Sequence, residues 1–144
     1  MKNKPVLWTM LALSVVGILD SFYLTITHFS QNELVCTIIK GCDVVLKSEY
    51  SEIGPVPTAA LGVFFYITVF YIILLYISGK ISDDLMKKLG WIFGAGFVAS
   101  LFFLYLQMFV INAYCQYCLF SLITSTLLFI LFFFSGKKSI ILNE

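Results

Sequence analysis

Four cysteines are the residues of this chain best suited to chemistry, and they fall into two pairs. Cys36 and Cys42 are separated by five residues, and Cys115 and Cys118 close a Cys115-Gln116-Tyr117-Cys118 motif. Spacing of i and i+3 puts the second pair on one helical face, close enough to join. Asn112 is the expected N-cap of that helix, which places Cys115 in the first turn and Cys118 one turn deeper. Backbone N–H groups and the helix dipole there favour a thiolate, the species that attacks a disulfide or an electron-poor ring. Two plainer readings stand beside this one. Cys36 and Cys42 form a structural staple, or all four thiolates form a tetrahedral zinc site. Four cysteines allow three pairings, and spacing does not choose among them.

The elements that carry these cysteines are apolar. Of 144 residues 60% are hydrophobic and 12% charged, against roughly 25% charged in a soluble domain, so a bilayer must solvate much of the chain. A spanning helix needs about 20 apolar residues, because lipid offers the backbone no other partners. Four stretches qualify, at 6–29, 58–77, 89–113 and 115–134. The expected fold is therefore an all-α four-helix membrane bundle, a single domain over 1–144 with a long first loop at 30–57. The first stretch is too long for a signal peptide and lacks a small-residue cleavage site, so it reads as a retained span.

Lysines orient the bundle. Seven of nine (Lys2, Lys4, Lys80, Lys87, Lys88, Lys137 and Lys138) fall on the side of the termini, against Lys40 and Lys47 in the first loop. The positive-inside rule then puts both termini in the cytoplasm and all four cysteines outside, where thiols are oxidised. The loop carries Glu33, Asp43, Glu49 and Glu52 against its two lysines, and a loop this long in a compact bundle is usually functional. Without arginine or any basic cluster, nothing points to a nucleic-acid partner.

With its cysteines in place, the chain resembles the vitamin K epoxide reductase family. The resemblance rests on Cys36, Cys42 and Ser48 in the loop, then Gly54-Pro55-Val56-Pro57, Gly62 and Tyr66, and on the CxxC opening the fourth helix. Tyr23-Leu24-Thr25 and His28 are similar to bacterial members. The resemblance implies a thiol:quinone oxidoreductase supporting disulfide formation. Cys36 and Cys42 would exchange disulfides with a separate thioredoxin-like protein outside the cytoplasm, since no such domain is fused within these residues. Cys42 would pass electrons to Cys115, and Cys118 would face a lipid quinone of the ubiquinone, menaquinone or vitamin K type. Ser48 would position the loop or steady a thiolate. Thr58 stands where vertebrate relatives place an amide near the quinone oxygen, and Leu122 where they place a tyrosine; both point away from an epoxide substrate. The unrelated disulfide-forming protein B type carries its CxxC in the first outer loop, not after the third helix. A non-catalytic assembly protein with a stapled loop is the rival from another class.

Three polar residues lie in or beside the spans. Asp20 is an expensive carboxylate within the first, read either as helix–helix glue or as a proton route. Gln107 reads as interhelical glue and His28 as a loop contact. Gly94-Ala95-Gly96 is expected to allow close helix packing.

Overall fold

A computed structural model describes residues 3–30, 36–39 and 41–141, the last five by backbone alone. Lys2, Glu33 and Lys40, and the side chains of Lys137 and Lys138, lie outside the described residues. Helix α1 runs Lys4–Ser30. The segment between α1 and the next long helix holds a short helix α2 (Cys42–Leu46), a 3₁₀ turn (Glu49–Ser51) and a minimal hairpin pairing β1 (Glu52–Ile53) with β2 (Val56–Pro57). Helix α3 (Thr58–Ile77) follows, then α4 (Asp83–Tyr105), which continues as π-helix over Leu106–Ile111, and α5 (Gln116–Ile141). Four candidate spans result: Lys4–Ser30, Thr58–Ile77, Asp83–Ile111 and Gln116–Gly136. The protein is a multi-pass membrane bundle.

Two boundaries differ from the hydropathy reading for identifiable reasons. The third span begins at Asp83, because the Ser82 hydroxyl caps the helix by accepting the Leu85 N–H and two acids occupy its first turn. Hydropathy alone misses these polar turns. At the other end Asn112 does not cap α5. It takes a left-handed conformation (φ 53°) and terminates the π segment, a position asparagine tolerates better than most residues.

Lipid tails are as apolar as leucine, so membrane helices associate through close packing and interhelical hydrogen bonds rather than through exclusion of water. Both devices are present. Gly17 of α1 lies against the Tyr66 ring of α3, where any Cβ would collide with it. The Tyr66 ring is thereby free to cross toward α5, where its hydroxyl donates to the Ser121 carbonyl at 2.9 Å. Phe93 stacks on Phe132 at 4.5 Å between centroids, Phe97 stacks on Phe129 at 5.1 Å, and Gly96 packs under Phe65. Ser100 and Ser125 join α4 to α5 by a 2.7 Å hydrogen bond. Large apolar residues such as Phe64, Trp91 and Phe133 remain exposed on the outside, as a lipid-facing surface requires. Lys4 lies beside Tyr76 and Asp83, so the start of α1 shares one end of the bundle with the α3–α4 connection. The four cysteines gather at the opposite end.

Candidate redox site

The cysteine end of the bundle is built around sulfur. Cys36 and Cys42 are joined in a disulfide with Cα atoms 6.5 Å apart, while Cys115 and Cys118 are free thiols. Cys42 (1% exposed) and Cys115 (0%) are buried in the same cluster with Leu24 and Val45, and Cys36 and Cys118 pack on its edge. Residues 78 positions apart in sequence are pinned here, since the Ile38 N–H donates to Gln116 Oε1 at 3.1 Å. The approach is closest at Gly41. A Cβ there would stand 2.5 Å from the Tyr114 carbonyl oxygen and 3.0 Å from its nitrogen. Because those are backbone atoms, they cannot swing aside as a side chain would. Glycine lets the loop backbone lie directly on the chain leading into the CxxC.

The start of α5 is held from below. Cys115 immediately precedes the helix, and its carbonyl accepts the Leu119 N–H at 3.0 Å. The Cys115 N–H donates to Oε1 of buried Gln107 at 3.0 Å. Gln107 thus caps the residue that Asn112 was expected to support. A hydrogen bond from Cys118 is the largest influence on Cys115 and holds its thiol pKa below the ordinary value, against the opposing effect of burial. The placement of both thiols therefore favours a thiolate at Cys115, the sulfur nearer the loop.

Loop and bundle are stitched by hydroxyls. Ser48 Oγ donates to the Val45 carbonyl at 2.6 Å, Ser51 Oγ to the Ser48 carbonyl at 2.8 Å, and Thr58 Oγ1 to the Ser51 carbonyl at 2.9 Å. This chain of bonds runs from α2 to the first residue of α3. The Ser48 proton is thus engaged within the loop and not on a sulfur, and the Thr58 proton is engaged on a carbonyl. His28 reaches from the end of α1 to Glu52 Oε1 at 2.7 Å, tying the hairpin to the bundle.

Beneath the loop lies a cavity of about 110 Å³. Its wall combines the apolar side chains of Leu24, Phe103 and Leu106 with polar groups of Ser48, Thr58 and Gln107, and Cys118 opens onto it. Such a mixture, mostly apolar with a few placed polar groups, suits a small aromatic ligand. One thiol of a dithiol on the wall of such a cavity, with a disulfide packed in the same cluster, is an arrangement for moving electron pairs by thiol–disulfide exchange. Residues 8–133, most of the chain, match the vitamin K epoxide reductase family.

The chain belongs to that family. Membership makes it a membrane oxidoreductase of the thiol–quinone kind, and the family is generally associated with quinone electron acceptors. Among the described residues no group of three or more cysteine, histidine or acidic side chains forms a metal site. Gln107, Gly41 and Gln116 were not legible as site residues, although Gly41 directly precedes Cys42 and Gln116 lies inside the CxxC. Asp20 Oδ2 is buried with no hydrogen-bond partner among the described residues, within electrostatic reach of Cys115 and Cys118.

Proposed function

We propose that this protein oxidises a separate thioredoxin-like protein outside the cytoplasm, passes the electron pair through Cys36/Cys42 to Cys115/Cys118, and delivers it to a lipid quinone bound beneath the loop. The observation that carries this reading is the burial of Cys42 and Cys115 in one cluster, with Gly41 packed on Tyr114 and Cys118 on the cavity wall. A loop that served only as a staple would have no need to press its second cysteine onto the CxxC. The lysine asymmetry supports an outward-facing site.

The chemistry runs as two exchanges and one two-electron transfer. A partner thiolate attacks the Cys36–Cys42 disulfide, and the partner leaves oxidised with both loop thiols reduced. Cys42 then attacks Cys115 of the Cys115–Cys118 disulfide, releasing the Cys118 thiolate. Cys36 resolves the bond between Cys42 and Cys115, restoring the loop disulfide and leaving the CxxC reduced. A quinone supplies the electron sink, with each 30 mV of potential difference equal to about 1.4 kcal/mol for a two-electron couple. Cys118 gives up the pair, the CxxC disulfide re-forms, and the two thiol protons balance quinol formation. Ser48 holds the loop over the cavity, and Thr58 offers its oxygen lone pairs to the cavity wall.

Turnover of the purified chain tests this, with a reduced thioredoxin-like protein or a small dithiol as donor and ubiquinone or menaquinone analogues as acceptors. Cys36→Ser and Cys42→Ser are expected to lose turnover with the protein donor and keep it with the small dithiol. Cys118→Ser is expected to lose both. Equal loss of small-dithiol activity in all three would refute the relay order and return the loop cysteines to a structural role.

A further inference from the structure

The Gln107 side chain has a second end that the relay leaves without a role. Its Oε1 accepts the Cys115 N–H, and a backbone N–H can only donate, so the oxygen end of the amide must face Cys115. The NH₂ end is then directed elsewhere, and Gln107 lies on the wall of the same cavity as Cys118. Gln107 is the second residue of the π-helical segment, a form that recurs at functional sites. Ser21 and Tyr50 also reach this wall, and several of the other hydroxyls on it are engaged elsewhere. Ser48, Ser51 and Thr58 each donate to a loop carbonyl, and Ser100 bonds the Gly96 carbonyl and Ser125. An NH₂ group held rigidly by a backbone bond is therefore a donor available to whatever fills the cavity.

We infer that Gln107 orients the electron acceptor, its NH₂ donating to a carbonyl oxygen of the bound quinone and setting the ring against Cys118. This inference rests on the quinone reading above. The donor would act most strongly during the transfer itself, when the Cys115/Cys118 dithiol yields two electrons and two protons and negative charge grows on that oxygen. One side chain would thus fix both reactants, the CxxC through the Cys115 amide and the quinone through its own NH₂. The amide expected at the Thr58 position of α3 would here be provided from α4.

The test separates the two ends of the side chain. Gln107→Glu keeps an acceptor for the Cys115 N–H and removes the NH₂; Gln107→Met, neutral and of similar length, removes both and controls for added charge. In detergent-purified full-length protein, two half-reactions are followed: reduction of the CxxC by dithiothreitol, read by mass shift on alkylation, and its reoxidation in a single turnover with menadione. Gln107→Glu is expected to be reduced at close to the wild-type rate and reoxidised roughly a hundredfold more slowly, as for loss of a donor to a developing oxyanion; Gln107→Met, which also loses the Cys115 bond, is expected to slow in both half-reactions but far more in reoxidation. Wild-type reoxidation in the Glu variant would overturn the inference alone. So would equal slowing of both half-reactions, which marks Gln107 as a cap for α5 and nothing more. Wild-type protein that menadione and ubiquinone-1 both fail to reoxidise would remove the quinone reading, and this inference with it.

Discussion

The two ends of this bundle are held together by different physics. Away from the cysteines, Phe93, Tyr66, Met10 and Met86 are buried in a core of large side chains, with aromatic rings stacked across helices and glycines admitting them. At the cysteine end the buried set is small (Leu24, Cys42, Val45 and Cys115), and order comes from hydrogen bonds to loop carbonyls, a disulfide and one close backbone contact. Aromatic packing is broad and tolerant of small displacements. Backbone contact and hydrogen bonds are directional and fail over a fraction of an ångström. A site that must exchange a covalent bond between loop and helix needs the second kind of order, and a scaffold that must survive repeated exchange needs the first.

The comparison breaks most sharply at Gly41. Gly41→Val should push the loop off Tyr114 and lower turnover with the protein donor by about a hundredfold, the scale of a 1 Å misplacement at a reacting centre. Turnover with a small dithiol should change little. A valine variant with normal protein-driven turnover would show that the close backbone contact is not needed for the relay. A milder probe of the same contact is Cys36→Ala, which removes the resolving thiol and should trap part of the protein with Cys42 bonded to Cys115. Cleavage in the 48–57 segment followed by non-reducing electrophoresis reads this directly, because linked fragments migrate together. Fragments that separate without reductant would argue against loop-to-helix exchange.

Away from the cysteines the expected effects are on stability. Phe93→Ala removes a ring stacked on Phe132 and should cost about 3 kcal/mol, seen as a lower midpoint of thermal unfolding in detergent, with turnover per folded molecule unchanged. A loss of turnover at temperatures where the variant is folded would mean the two ends are coupled. The smallest effect belongs to the tie between them. His28 is largely buried but Glu52 is half exposed, so His28→Ala should lower stability by at most about 1 kcal/mol. Larger loss of protein-driven than of dithiol-driven turnover would extend the cysteine region to the hairpin.

The sequence made the two regions legible to different degrees. Hydropathy marks the four spans because lipid exposure constrains nearly every residue in them, as Phe64, Trp91 and Phe133 illustrate. Clustering of the four cysteines at one end follows from the same count of spans. The contacts that make a site of them are tertiary. Nothing in the composition around Gln107 distinguishes a glutamine bonding another helix from one bonding the Cys115 amide eight residues later. Asn112 carries the signal of a helix start and a helix stop alike, and only the π segment before it decides in favour of the stop. Gly41 gains its meaning from Tyr114, which is distant in sequence.

That π segment has a genetic consequence. A π turn holds more residues than an α turn, so Leu106–Ile111 stores about one residue of surplus chain just before the CxxC. Deleting a single residue there would let α4 run to its end at α pitch, with the chain on either side of the cut kept in register and only the directions of the segment's own side chains changed. Gln107, or whatever replaced it, would lose its aim at the Cys115 amide, while every span kept enough length to cross a bilayer. Such a deletion would leave an intact bundle, still in register, that has lost only the support beneath the CxxC.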